Sequence, residues 1–199
     1  MQQKLDGCRV AILVTDGFEQ VEMTEPRKAL KEAGAQVDLI APDKKEVQGM
    51  NHDEKGNKFP ADKQLSSVST SDYDALLLPG GVANPDKLRT IPQAVAFVKG
   101  FAQSSKPIAA ICHGPWMLVE ADLVKGRKVT SWPSLQTDIR NAGGHWEDSE
   151  VIADTGLITS RKPDDIPAFN RKMIEEFAGR MQKRAGTERT QTAGARRSA

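Results

Sequence analysis

The strongest constraint on how this chain folds is a set of short apolar runs that do not alternate with polar residues. Arg9 to Val14, Asp74 to Leu78 and Pro107 to Ile111 each have strand length. Each is cut off by turn residues: Thr15-Asp16-Gly17, Pro79-Gly80-Gly81 and Cys112-His113-Gly114-Pro115. A strand that is apolar on both sides has to be covered on both faces. Helical patterns lie between the runs. Glu22 to Ala33 places Met23, Ala29, Leu30 and Ala33 at helical spacing, with Pro26 in the first turn and Gly34 as the stop. Further helices are expected within Pro85 to Gln103, at Trp116 to Ala121 and at Leu135 to Asn141. A last one runs over Asp164 to Met181, with Ile166, Phe169, Met173 and Phe177 on one face. Gln36 to Ala41, the region of Val129, Glu150 to Ala153 and Leu157 to Ser160 read as further strands. The polar stretch Pro42 to Asp72 reads as short strands or a hairpin. Strand and helix in alternation predict an α/β fold, a doubly wound, mainly parallel sheet with helices on both faces.

Composition narrows the function classes. The 28 basic and 27 acidic side chains nearly cancel, so no overall field draws the chain to nucleic acid. No apolar run approaches the ~20 residues of a spanning helix. Met1 to Asp6 has no apolar signal region, so a cytoplasmic protein without membrane association is expected. With 2 cysteines and 3 histidines, neither a disulfide framework nor a four-ligand cysteine zinc site is expected. Nothing indicates an organic cofactor. From Lys183 onward the apolar period is lost, and Lys183, Arg184, Arg189, Arg196 and Arg197 face one acid, Glu188. The division is therefore an α/β domain over 1–182 and a basic tail, expected to be disordered, over 183–199.

In a parallel sheet, ligands bind beyond the carboxyl ends of the strands. The loops Thr15 to Val21, Pro79 to Asp86 and Cys112 to Pro115 are thus expected at one edge. Ala110-Ile111-Cys112-His113-Gly114 has the layout of a nucleophile elbow, in which a strand ends, the nucleophile follows and a helix begins. The helix N-terminus is expected to favour thiolate at Cys112 and lower its pKa. The plainer reading of a lone cysteine is packing, which suits Cys8 better than Cys112. Gly80 and Gly81 can turn backbone N–H groups into the same crevice as oxyanion donors, or simply make a turn. Glu19 and Glu22 stand at the start of a helix, where the dipole alone favours carboxylates, or one of them points back at Cys112. Trp116 and Trp132 roof the crevice, or pack in the core or a subunit interface. His145-Trp146-Glu147 imitates a base and its orienter but reads better as an exposed strand, and His52 carries no specific signal.

Taken together, Asp16-Gly17-Phe18-Glu19 with Glu22, Leu78-Pro79-Gly80-Gly81, Ala110-Ile111-Cys112-His113-Gly114-Pro115 and Thr130-Ser131-Trp132-Pro133 resemble the PfpI family of intracellular proteases and glyoxalase or deglycase-like proteins. The resemblance covers Arg9 to Gly179. It implies a flavodoxin-like sandwich with Cys112 as nucleophile, His113 supporting it and Glu22, rather than Glu19, touching the sulfur. It also implies oxyanion binding by Gly81 and the His113 backbone, and no cofactor. In the protease-like branch a carboxylate from a neighbouring subunit completes a triad, and Asp86 matches that position one methylene shorter. A homo-oligomer, dimer or hexamer, with the site near a subunit interface is the corresponding expectation. A glutamine amidotransferase is the weaker alternative, because His145 and Glu147 fall in the wrong part of the chain. Three functions remain open: small α-oxoaldehyde or adduct chemistry, peptide hydrolysis, and oxidation sensing at Cys112.

Overall fold

The computed structural model describes residues 4–43 and 45–195. The first strand, β1 (Arg9–Leu13), leads through β2 (Phe18–Glu19) into helix α1 (Gln20–Glu32), and the chain returns along β3 (Gln36–Ala41). A hairpin follows, β4 (Glu46–Asn51) and β5 (Glu54–Pro60), then the short β6 (Lys63–Gln64) and β7 (Ala75–Leu78). Helices α2 (Ala83–Leu88) and α3 (Pro92–Gln103) connect to β8 (Ile108–Ile111), which runs into α4 (Pro115–Glu120). Then come β9 (Lys128–Val129), α5 (Gln136–Asn141), β10 (His145–Trp146), β11 (Val151–Asp154), β12 (Leu157–Ser160) and α6 (Ile166–Ala195).

Seven strands form the main sheet in the order β11-β12-β8-β7-β1-β3-β6, and every neighbouring pair is parallel except β11 with β12. The unalternating apolar runs are explained by the layers. Val10, Ile12, Leu77, Ala109 and Ile111 face one core with Met23 and Leu30 of α1 and Phe169, Met173 and Phe177 of α6. Ala11, Leu13, Leu76, Leu78 and Ala110 face a second core with Phe97 and Phe101 of α3 and Met117 and Leu118 of α4. Period-2 side-chain direction sends each strand into both cores. The expected α/β sandwich is the fold observed.

Two expectations are corrected. Helix α1 begins at Gln20, two residues earlier than its apolar spacing suggested, so Pro26 lies inside the helix rather than in its first turn. Proline has no N–H, so the Glu22 carbonyl loses its i+4 donor there. Helix α6 continues past Met181 to Ala195, so the backbone of 183–195 is helical where disorder was expected. Loss of an apolar period removes a face to bury, and Lys183, Arg184, Ala185, Glu188, Arg189 and Gln191 favour helix without it while Gly186, Thr187, Thr190, Thr192 and Gly194 do not. Residues 196–199, which hold Arg196 and Arg197, lie outside the described residues.

Of the two minor sheets, β10-β9 and a three-stranded one, the latter shapes the site. It runs β2-β4-β5, with β2 parallel to β4 and the β4–β5 hairpin turning at His52 and Asp53. The Gln48 N–H donates to Asp16 Oδ1 at 3.0 Å, and the Gly17 N–H donates to the Gln48 carbonyl at 2.9 Å. Gln20 Oε1 accepts from the Asn57 N–H at 2.6 Å, and Glu19 Oε2 accepts from the His52 N–H at 3.1 Å. These bonds hold the hairpin over the carboxyl edge of the main sheet.

Candidate active site

Cys112 follows β8 directly, with φ +61°, in the left-handed region that non-glycine residues rarely occupy. Its neighbours fix it there. The Cys112 N–H donates to the Ser160 carbonyl at 3.0 Å, and its own carbonyl accepts from the Trp132 N–H at 2.9 Å. Gly114 completes the elbow, since a Cβ there would stand 2.4 Å from the Leu78 carbonyl oxygen. A strained backbone held by flanking bonds at a strand end is the expected elbow.

Around the sulfur, Sγ lies 3.2 Å from His113 Nδ1. The backbone N–H groups of Gly81 and His113 also bond to the Cys112 side chain, and the Glu22 carboxyl contacts it. Glu22 is fully buried, and its Oε2 accepts the Gly80 N–H at 2.9 Å. Its Oε1 has no nitrogen or oxygen partner. Burial pushes the Glu22 carboxyl up to about 8, against the pull of its bonds to Cys112 and Gly80, so it holds its proton at neutral pH. The Cys112 thiol is raised rather than lowered, by burial first and by the Glu22 charge second, while the Gly81 and His113 N–H groups act the other way. The expected acidification therefore fails. Helix α4 has only 6 residues, and its dipole is outweighed by the desolvation of a side chain that is 6% exposed. Burial likewise lowers His113 to about 4, leaving a neutral imidazole.

Gly80 and Gly81 divide their work. The Gly80 N–H is spent on Glu22, so Gly80 is a positioning residue and not the oxyanion donor it was expected to be. A Cβ on Gly80 would meet Glu22 Oε2 at 2.6 Å and Cys112 Cβ at 2.7 Å. The Gly81 N–H does turn to the sulfur, together with that of His113. Of the two glutamates, Glu22 reaches Cys112, while Glu19 anchors the hairpin tip through His52.

The sulfur opens on a cleft of about 620 Å³ lined in part by Glu19, Glu22, Met50, His52, Asp53, Gly81, Val82, Cys112, His113 and Trp132. Trp132 stacks on His113, with ring centroids 5.8 Å apart at 25°, and is 39% exposed, so it walls the cleft. Trp116 packs on the imidazole too, at 5.5 Å, but its indole N–H donates to Asp138 Oδ2 and it does not line the cleft. Asp86 lies exposed on α2 and does not line the cleft. His145 is exposed on β10 and Glu147 pairs with Lys128, so that motif is the surface strand it resembled. Cys8 is fully buried, and its thiol is pushed up to about 12.

Three contributors carried no sequence signal. Ser134 Oγ lies 3.4 Å from His113 Nε2. Asn84 is buried and joins two strand-end loops, its Oδ1 accepting from the Thr15 N–H and its Nδ2 donating to the Pro79 and Gly80 carbonyls. The His52-Asp53 turn supplies a wall. Among the described residues, no group of three or more histidine, cysteine, aspartate or glutamate side chains could hold a metal ion, and no helix is long and apolar enough to cross a membrane.

The chain is similar to known proteins over most of its length. Bacillus subtilis (strain 168) has a relative named "Putative cysteine protease YraA", 46% identical over 169 residues, covering 83% of this chain and 96% of that protein. Protein/nucleic acid deglycase 2 of Escherichia coli (strain K12) is 43% identical over 169 residues, covering 83% and 95%. Among solved structures, a mutant of the DJ-1 superfamily protein STM1931 from Salmonella typhimurium superposes with a TM-score of 0.79 at 25% identity, covering 90% of this chain and 97% of that one. Residues 8–176 match the family described as DJ-1/PfpI, and the chain belongs to that family.

Proposed function

We propose that the chain is a cofactor-independent enzyme in which Cys112 attacks small α-oxoaldehydes, or their early adducts with amines and thiols. The observation that carries this reading is the Cys112 sulfur, bonded to two backbone N–H groups and 3.2 Å from a neutral imidazole, at the base of a small cleft. In the tautomer that directs an Nε2–H to Ser134 Oγ, 3.4 Å away, His113 presents an unprotonated Nδ1 to the thiol. As the sulfur adds to the aldehyde carbon, Nδ1 takes the thiol proton, and the new oxyanion falls to the Gly81 and His113 N–H groups. The hemithioacetal carbon then loses its proton and the neighbouring ketone carbon gains one, giving a thioester of a 2-hydroxy acid. Glu22 and His113 are the groups that carry these protons. Water releases the acid and returns the thiol. The aldehyde carbon is oxidised as the ketone carbon is reduced, so methylglyoxal and water become lactate with no redox partner.

Proton NMR of methylglyoxal incubated with the wild type and with Cys112→Ala tests this directly. Lactate from the wild type alone supports it, and no lactate from either refutes it. The protease name of one relative supports a second reading, an acyl-enzyme on Cys112. A triad would then take its carboxylate from another subunit, the role that Asp86 is proposed to fill.

A further inference from the structure

The side chains around the cleft are one-sided in charge. Glu19 and Asp53 bring two carboxylates to its lining beside the protonated Glu22, and among the described residues no lysine or arginine lines it. The basic side chains there are His52 and His113. The cations next to the lining residue Pro163 are already matched. Arg161 pairs with Asp148 at 2.7 Å and Asp165 at 2.8 Å, and Lys162 pairs with Asp164 at 3.1 Å. The field is also fixed in place. Glu19 is held by the His52 N–H, and Asp53 is carried on the turn that this bond anchors.

We infer that the cleft selects its substrate by charge. It admits carbonyl compounds that are neutral or carry an ammonium or guanidinium group near the carbonyl, and rejects those with an adjacent carboxylate, with Glu19 and Asp53 as the specificity-determining residues. This rests on the proposed role of Cys112, but charge selection can be read without turnover.

The test labels Cys112 with two methanethiosulfonates that transfer the same disulfide-forming sulfur, one bearing trimethylammonium and one bearing sulfonate. Peptide mass mapping follows Cys112 alone. At low ionic strength the cation-to-anion rate ratio should exceed that of 2-mercaptoethanol by about tenfold or more, and should fall as salt is added. Glu19→Gln keeps an oxygen for the His52 N–H while removing the charge. Combined with Asp53→Asn, it should bring the ratio close to the 2-mercaptoethanol value. A wild-type ratio equal to that of the free thiol overturns the inference, and so does a high ratio that the double variant leaves unchanged. In the turnover arm, 2,3-dioxopropanoate, an α-oxoaldehyde with a carboxylate in place of the methyl group of methylglyoxal, should react at least tenfold more slowly than methylglyoxal, and the double variant should narrow the gap. If neither aldehyde is turned over, the catalytic reading fails while the labelling ratio still decides charge selection. Lactate formation without a labelling preference leaves the catalytic reading standing and removes this one.

Discussion

The Gly80 N–H donates to Glu22 Oε2 at 2.9 Å, which fixes a fully buried carboxyl against the Cys112 sulfur. That carboxyl is raised from 4.5 to about 8, so between these values the folded chain holds a proton that the unfolded chain has released. Stability therefore falls as pH rises through this window. His113 acts in the opposite sense. It is lowered from 6.5 to about 4, so its contribution grows as pH rises through that range and is complete above it. From pH 6.5 to 8 only Glu22 remains, and the wild type should lose roughly 1.5 kcal/mol. Glu22→Gln should abolish that slope, as read by urea unfolding at several pH values. An unchanged slope would remove the raised carboxyl.

Asn84 is a clamp that substitution should expose. Three hydrogen bonds tie its buried amide to Thr15, Pro79 and Gly80. Asn84→Ala strands a buried N–H and two carbonyls, and should cost about 2–4 kcal/mol. Because Gly80 in turn holds Glu22, the thiol titration of Cys112 should shift as well. Chemical unfolding together with ultraviolet thiol titration checks both, and a variant as stable as the wild type would contradict the clamp.

What the sequence made legible, and what it hid, follows from how local each cause is. The runs at Val10 to Leu13, Ala75 to Leu78 and Ile108 to Ile111 announce strands buried on both faces, because period-2 geometry needs no distant partner. The elbow is local too, since strand, cysteine, glycine and proline are contiguous. Its acidity is not. A dipole argument from Pro115 onward cannot include the desolvation set by Glu22 and the surrounding core, and that term has the opposite sign. Singling out Glu22 over Glu19 came from family resemblance, because helix-start spacing serves both. Asn84, Ser134 and His52 are ordinary polar residues whose importance lies in what tertiary folding sets beside them.

Asp86 is the residue whose role depends on a second chain. It is exposed on α2, whose preceding residue Val82 lines the cleft and is 57% exposed. If it orients His113 of a neighbour, Asp86→Ala should lower kcat/KM about tenfold or more without changing the sedimentation coefficient. Mixing Asp86→Ala with Cys112→Ala should then rebuild some intact sites, giving about a quarter of wild-type activity for a randomly mixed dimer. Mixing that recovers nothing would confine the site to one chain.

Ser134 offers the cleanest test of the imidazole's direction. Its Oγ is the partner of His113 Nε2, on an exposed turn that bears little of the core. Ser134→Ala should leave stability within about 0.5 kcal/mol of wild type. Without that acceptor, the tautomer with a proton on Nδ1 gains weight, and Nδ1 then faces the sulfur as a donor instead of a base. The expected result is a drop of about tenfold in kcat with little change in KM, since a proton-transfer contribution is lost and no substrate contact is removed. Ser134→Thr, which restores the hydroxyl, should recover most of the rate. A variant that alters KM alone, or a threonine that rescues nothing, would show that Ser134 shapes the turn and does not set the tautomer.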